Sequence, residues 1–454
     1  MQVLGGQHEM RTGLYTDAQR KRRDSSPWTL VQGILAPLQF LVFLVSLGLV
    51  LRTLITGEGA GMANASVILK TMLLYTIMVT GSLWEKDVFG KYLFAPAFFW
   101  EDVVSFGVIA LHTAYHDATP LVMLIGHVER KDIGRLALQE QNYSRLLSDV
   151  TKGVFEVIEP IQASETIARA FHLAESGTPG PVAVILPEDI FDAPAEGPVV
   201  KPRAMPLAGP RAEDLDKLAE LLANAERPLV LVGGALATHG ENASADLNRL
   251  AEAWTLPISP THRRPHLFDA DHPNYGGYMG IRVPKPLIEE MKKADLMICL
   301  GERMSDSISQ SYSFPAAPEP QLTMVQVWPD ANEIGRVWRV DLPIAADPLA
   351  VIRGLLARNA PEASEARKRW VSGLNAIHRK LLAPEWDKME DGVNFGAVCA
   401  AAARHVPKDA AITSDAGNFS SFLHRYFPFK QTQCFLASVV GAMGAAVPMA
   451  VAAS

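Results

Sequence analysis

The chain has 454 residues, a formal net charge of −7 and no basic face that recurs along its length, a balance that argues against nucleic acid as a partner. Its three cysteines, Cys299, Cys399 and Cys434, are widely separated and form neither a disulfide framework nor a paired metal motif. They read as core thiols.

The amino-terminal quarter is apolar. Leu30 to Leu51 runs without a charge, and at about 1.5 Å per residue it is long enough to cross a hydrocarbon layer of roughly 30 Å. Two further apolar stretches follow, Ser66 to Leu83 with Lys70 inside it, and Leu93 to Tyr115 with Glu101 and Asp102 inside it and His112 near its end. Spans over about 30–51, 66–83 and 93–115 are therefore expected, with membrane lipid as their surroundings. Ionisable groups in such helices imply a polar cleft between them; two soluble amphipathic helices or a structural ion pair would account for the same residues. The basic run Arg20, Lys21, Arg22, Arg23 precedes the first span and predicts a cytoplasmic amino terminus. Arg52 and Gly57 follow that span instead of a small-residue cleavage site, so it is expected to remain as an anchor. Three spans would place the rest of the chain outside; failure of the third to insert would keep it inside.

Beyond Tyr115 the pattern changes to that of an α/β protein. Residues 194–210 carry Pro194, Pro198, Pro202, Pro206 and Pro210 and suit a linker. Residues 211–225 have helical spacing, and then LVLVGG begins a series: strand 229–233, helix 241–254, strand 256–259, helix 285–293, strands 295–300, 322–328 and 340–344, and helix 347–358. Apolar runs alternating with amphipathic helices predict a doubly wound parallel sheet over 211–359, covered on both faces. Gly233 and Gly234 suit either a phosphate-binding loop or a tight turn, but ALATHG after them lacks GxGxxG spacing. A second α/β unit starts after the helical segment 364–382. Helix 393–404 leads to strand 411–414 and to Asp415-Ala-Gly-Asn418 at a strand's carboxyl end, the position where parallel sheets place ligands. The small residues of ASVVGAMGAAVPMAVAAS suit a helix packed closely on a cofactor or another subunit.

Several separated pieces then carry a resemblance in the right order: YHDATPLVMLIG, ALQEQNY with VTK, GTPGPVAVILPEDI, ERPLVLVGG, ADLMICLGERMSD and SVVGAMGAAVPMA. Residues 115–454 resemble the thiamine-diphosphate-dependent enzymes of the acetolactate synthase group. That resemblance implies the tail of a pyrimidine-binding domain over 116–193, the central domain over 211–359, and an incomplete diphosphate-binding domain over 360–454. The fold class expected is thus membrane helices followed by α/β, a doubly wound central domain flanked by truncated thiamine-diphosphate-binding domains. It also implies thiamine diphosphate and magnesium as cofactors, 2-oxo acid decarboxylation and carboligation as the reaction, and homo-oligomers through the thiamine-enzyme domains. By the same resemblance, Asp415, Gly417 and Asn418 match the first diphosphate-domain loop, and an Asx-type turn suits them equally. Met443 matches the residue that supports the bent cofactor, with Gly441 and Gly444 allowing its approach, although a core helix also explains Met443. Gln139, followed by Glu140, matches a glutamine-glutamate pair near the active centre. The glutamate that activates the aminopyrimidine maps to no residue, and the sequence ends before the family's GDG motif, so no metal ligand is assigned. Catalysis by this portion alone is not expected.

The first 115 residues carry a different resemblance. LYTDAQRKRRDSSPWTLVQGILAPLQFLVFLVSLGLVLR, VILKTMLLYTIMVTGSLWEKDVFGKYLFAPAFFWEDV and ALHTAY are similar to the membrane hydratase that converts the vinyl group of bacteriochlorophyllide into a hydroxyethyl group. The vinyl bacteriochlorophyllide is then the implied partner. Hydration needs an acid to protonate carbon and a base to activate water, and Glu85, Glu101, Asp102 and His112 are of suitable type. Apolar surroundings favour the uncharged, proton-donating form of a carboxyl group. Hydrogen bonding with Lys70, or interfacial placement of Glu85 and Lys86, would account for the same residues. His112 follows Glu101 and Asp102 by roughly three turns of helix. Trp84, Phe98, Phe99 and Trp100 suit either a planar pigment or a membrane interface. HTAY fits both resemblances, as in a fused or recombined reading frame. Either one half acts as an enzyme, or the chain is a noncatalytic fusion.

Overall fold

A computed structural model describes residues 17–90, 99–194, 197–201, 204–382, 384–386 and 393–453. The chain divides into two units, Met1–Ile109 and Ala110–Ser454. The first holds helices α1 (Asp17–Ser25), α2 (Pro27–Thr56) and α3 (Ala60–Phe89), and the start of α4 (Phe99–Asp117). Helix α2 begins where the Ser26 hydroxyl accepts the Trp28 N–H and a proline occupies the first helical position, which needs no donor there. It stops at Gly57, whose left-handed backbone (φ +73°) returns its N–H to the Thr53 carbonyl at 2.9 Å.

Helices α2 and α3 pair antiparallel through polar side chains that advance in step along both. The Ser26 hydroxyl donates to Asp87 (2.8 Å), the Trp84 indole to the Thr29 hydroxyl (2.9 Å), and the Gln32 amide to Thr80 (2.8 Å) and to the Ile77 carbonyl (3.2 Å). Farther along, the Lys70 ammonium lies 5.8 Å from the centre of the Phe43 ring, and the Ser66 hydroxyl donates to Ser46 at 3.1 Å. Interhelical hydrogen bonds in apolar surroundings contribute roughly 0.6–2 kcal/mol each, so these rungs fix one register. Among the described residues one helical segment, Pro27–Thr53, is long and apolar enough to cross a membrane, and little of it is buried in the protein. The span expected over about 30–51 falls within this segment. Helix α3 runs well past 66–83 at both ends and takes in Lys70, Glu85, Lys86 and Asp87; residues 93–98 of the third expected span lie outside the described residues.

In the second unit every paired strand is parallel. Strands β1 (Leu121–His127), β2 (Gly153–Glu156) and β3 (Pro181–Pro187), with helix α5 (Ala163–Glu175), form a sheet ordered β1-β3-β2. The central sheet is ordered β5-β4-β6-β7-β8. Its strands are β4 (Pro228–Val232), β5 (Ile258–Pro260), β6 (Leu296–Leu300), β7 (Thr323–Trp328) and β8 (Leu342–Ala345), and its helices α6 (Ala212–Asn224), α7 (Glu241–Ala253), α8 (Lys285–Met291) and α9 (Pro348–Leu356). Because side chains alternate across a strand, Val230 and Val232 of β4 join one core with α6, α7 and α9, while Leu229 and Leu231 join the core on the other face. Strand β6 does the same, sending Ile298 to the first core and Met297 and Cys299 to the second. Burial pushes the Cys299 thiol up, as befits a core thiol.

Helix α10 (Glu365–Leu382) seals the second core with Trp370, Val371 and Leu374. The buried Arg367 guanidinium donates to the carbonyls of Leu222, Ala225 and Trp254, closing the carboxyl ends of α6 and α7, and the Trp370 indole donates to the Pro228 carbonyl at 2.7 Å. After it come α11 (Phe395–His405), β9 (Ala411–Thr413), α12 (Ser420–Tyr426), β10 (Cys434–Leu436) and α13 (Ala446–Ala453), with β9 and β10 forming a two-stranded parallel sheet.

Candidate functional site

The chain segments leaving β4, β6 and β7 line a cavity of about 880 Å³ through Gly234, Gly301, Glu302, Trp328 and Pro329. This is the carboxyl edge of a parallel sheet, where doubly wound domains place ligands. The first turn, however, is filled from within. A Cβ on Gly233 would lie 2.4 Å from Glu302 Oε2, and the Glu302 carboxylate accepts the Thr261 hydroxyl at 2.6 Å and the Met304 N–H at 3.0 Å. The two glycines therefore make a tight turn over a carboxylate that stands where an approaching phosphate would be. On the same wall His239 Nε2 lies 2.7 Å from Asp347, which also caps α9 through the Ala350 N–H at 2.9 Å.

Another wall is built by Asp117, Val439 and Val440. The Asp117 carboxylate accepts the Val439 N–H at 3.0 Å; burial pushes its carboxyl up, and that N–H pulls it back. Behind the cavity lies a buried layer in which His262 Nδ1 meets the Tyr278 hydroxyl at 3.0 Å and the His424 ring stacks on Tyr278 at 4.3 Å. Burial holds His262 at about 3 and lowers His424 well below the usual histidine range, so both are neutral.

The residues singled out by sequence fall in separate places. Asp415, after β9, accepts the Gly444 N–H at 2.9 and 2.7 Å and the Ala416 N–H at 2.8 Å, tying its loop to residues 441–444. Gly441 (φ +73°) and Gly444 (φ +82°) give that segment its left-handed turns, and Ala416 Cβ lies 3.8 Å from where a Cβ on Gly441 would be. Gly417 has φ +150°, and a Cβ there would meet the Phe419 ring at 2.7 Å. Asn418 is exposed, and its carbonyl accepts the Ser421 hydroxyl at 2.7 Å at the start of α12. The Met443 side chain is 86% exposed. Gln139 is exposed, in a loop where Glu140 accepts the N–H groups of Gly134 and Ala137; these hold the Glu140 carboxyl below its ordinary range. Glu85 is half-buried on α3, one residue from the Trp84 rung. Glu101 and Asp102 fall on α4, but their side chains lie outside the described residues; His112 belongs to the second unit and meets His116 edge-on at 4.5 Å.

A magnesium-bridged diphosphate needs several oxygen ligands directed at one point. Among the described residues no group of three or more His, Cys, Asp or Glu is arranged to hold a metal ion. The Asp415 carboxylate is engaged by backbone N–H groups of its own chain. The residues described do not fit that group. Sequence reasoning missed the Ser26, Thr29 and Gln32 rungs and the buried layer around Tyr278. The THRRPH run, with two histidines and two arginines beside a buried strand, was the one signal for the latter.

Comparison with known proteins separates the two parts. Residues 15–133 match the family model of 2-vinyl bacteriochlorophyllide hydratase, and residues 215–355 match that of the thiamine pyrophosphate enzyme central domain. The 2-vinyl bacteriochlorophyllide hydratase of Cereibacter sphaeroides is 76% identical over 102 residues, covering 22% of this chain and 64% of that protein. The probable acetolactate synthase large subunit of Methanocaldococcus jannaschii is 31% identical over 360 residues, covering 76% of this chain and 60% of its own length. The acetolactate synthase large subunit of Corynebacterium glutamicum is 26% identical over 344 residues, covering 74% and 54%. The chain thus spans less than two thirds of the length of each of these relatives. It carries two distinct segments, an amino-terminal one that resembles the hydratase and a longer one that resembles acetolactate synthase and its thiamine-enzyme relatives.

Proposed function

We propose that this chain joins a hydratase-like membrane segment to a thiamine-enzyme-like scaffold that does not catalyse a reaction by itself. The observation that carries the second half of this reading is the engagement of Asp415 by Gly444 and Ala416, with Met443 turned to solvent. A carboxylate held by its own backbone is not free for a metal ion, and an exposed methionine supports no cofactor ring. Calorimetric titration of the purified chain with thiamine diphosphate and magnesium is expected to give weak or no binding. Tight, magnesium-dependent binding at one site per chain would overturn the reading. Homo-oligomers formed through the thiamine-enzyme-like domains belong to the same proposal.

For the first half the carrying observation is the 76% identity over 102 residues. Hydration of a vinyl group transfers a proton from an acid to the terminal carbon, leaving positive charge that the macrocycle spreads. The water oxygen then bonds to the carbon next to the ring, and the proton it releases returns to the carboxylate. Glu101 or Asp102 is the acid in this reading, with Glu85 and His112 as further candidates for handling the proton. The segment lies in the bacterial inner membrane with its amino terminus in the cytoplasm, and vinyl bacteriochlorophyllide is its substrate. Membranes containing the full chain are expected to yield the hydroxyethyl product from the vinyl chlorin. Glu101→Gln or Asp102→Asn is expected to lower that yield by at least about a hundredfold, within the roughly 10²–10⁴-fold range of general acid catalysis, without changing insertion. Equal yields from both variants and the unsubstituted chain would remove both residues from the acid role, and no product from the unsubstituted chain would reject hydration itself.

A further inference from the structure

Arg263 combines two costly features. It is a non-glycine residue in the left-handed region (φ +64°), and its side chain is 3% exposed with Nε and Nη1 in no hydrogen bond. Nη2 reaches only the Asp415 carbonyl, at 3.5 Å. A left-handed backbone is costly at a residue with a side chain, and so is a buried cation with most of its donors unpaired, so the pair persists where something else offsets it. The carboxylates that act on it electrostatically do not do so by contact. Asp117 is bound to the Val439 N–H, Asp415 is bound to Gly444 and Ala416, and neither forms an ion pair with Arg263 within 4 Å. The residues on either side, His262 and Arg264, both line the cavity, and Arg264 Nε is also buried without a partner. His262 and His424, beside it, are neutral and add no countercharge.

We propose that Arg263 and Arg264 form a binding site for the oxyanion of a small ligand that enters through this cavity. A carboxylate or phosphate group supplies several acceptor lone pairs on one charged centre, which is what two guanidinium groups with free N–H donors require. The site is separate from the Asp415 loop's own hydrogen bonds and from the Glu302-filled turn, and it does not depend on the catalytic readings above.

The test uses the purified full-length chain in nonionic detergent at neutral pH and constant ionic strength, with chloride exchanged for inorganic phosphate or for acetate. The expected result is a saturable rise in Tm with one of the two, phosphate marking a phosphoryl ligand and acetate a carboxylate. Arg263→Met is expected to abolish that rise while leaving the anion-free Tm unchanged or higher, because it removes an unpaired buried charge. Arg264→Gln is expected to raise the apparent Kd at least tenfold and serves alone should Arg263→Met fail to fold. No saturable response of the unsubstituted chain to either anion, or an undiminished response in both variants, would overturn the proposal.

Discussion

The fragment of residues 211–382 is expected to unfold in one cooperative transition, and the fragment of residues 211–359, which lacks α10, is expected to lose it. The shorter fragment contains every strand of the central sheet, yet one face of that sheet would be bare. Trp370, Val371 and Leu374 are buried in the core on that face, and each such side chain contributes about 1.5–3 kcal/mol on burial. Removing α10 also takes away Arg367, leaving carbonyls of Leu222, Ala225 and Trp254 without their donor, at roughly 1–3 kcal/mol for each that stays buried. Together these losses match the roughly 5–15 kcal/mol that stabilises an ordinary domain. Circular dichroism melts and amide exchange of β4 and β6 in both fragments decide the matter. Equal midpoints and equal protection would show that α10 is an accessory.

Acid is expected to destabilise the second unit well above the range where carboxylates titrate. Burial lowers His262 to about 3 and His266 and His378 to about 4, whereas an unfolded chain protonates histidine near 6.5. Between those values the unfolded state binds protons that the folded state refuses, so stability falls as pH falls from about 6.5 toward about 4. Each histidine contributes on the order of 1 kcal/mol per pH unit across that window. His378 is the cleanest probe: it lies on α10 with its ring 4.3 Å from Tyr275, away from the cavity. His378→Gln should flatten the dependence of urea-unfolding free energy between pH 7 and pH 5 by about one proton's share. An unchanged slope would mean that this histidine is not neutral in the fold.

The central sheet was legible because its physics is local. Five consecutive apolar residues in β4 read as a strand buried on both faces, and the predicted boundaries there differ from the observed ones by a residue. The same holds for β6 and β7. What sequence left open was decided by contacts between distant residues. The choice at Gly233 between phosphate loop and tight turn rests on Glu302, which arrives from the end of another strand. The pairing of α2 with α3 depends on Gln32 finding Thr80, and neither position has a periodicity that names the other. Arg263 was invisible for a different reason. An arginine in a polar run reads as surface, and only its burial and its left-handed φ mark it as unusual.

The two-stranded sheet of β9 and β10 has a consequence for how this polypeptide meets other polypeptides. Among the described residues each strand pairs on one side only, and the unpaired side of a strand is where an extended segment of another chain adds itself. Three residues per strand make a weak template, and charge stands guard on both approaches. Lys408 and Asp409 precede β9, while Lys430, tied to Asp269 and Asp271, precedes β10. A newcomer must desolvate these ions to add itself as a strand. In a crowded nascent population, the margin between a lone protein and a clump is thus set by a few gatekeeping side chains beside a patch of sheet six residues in all.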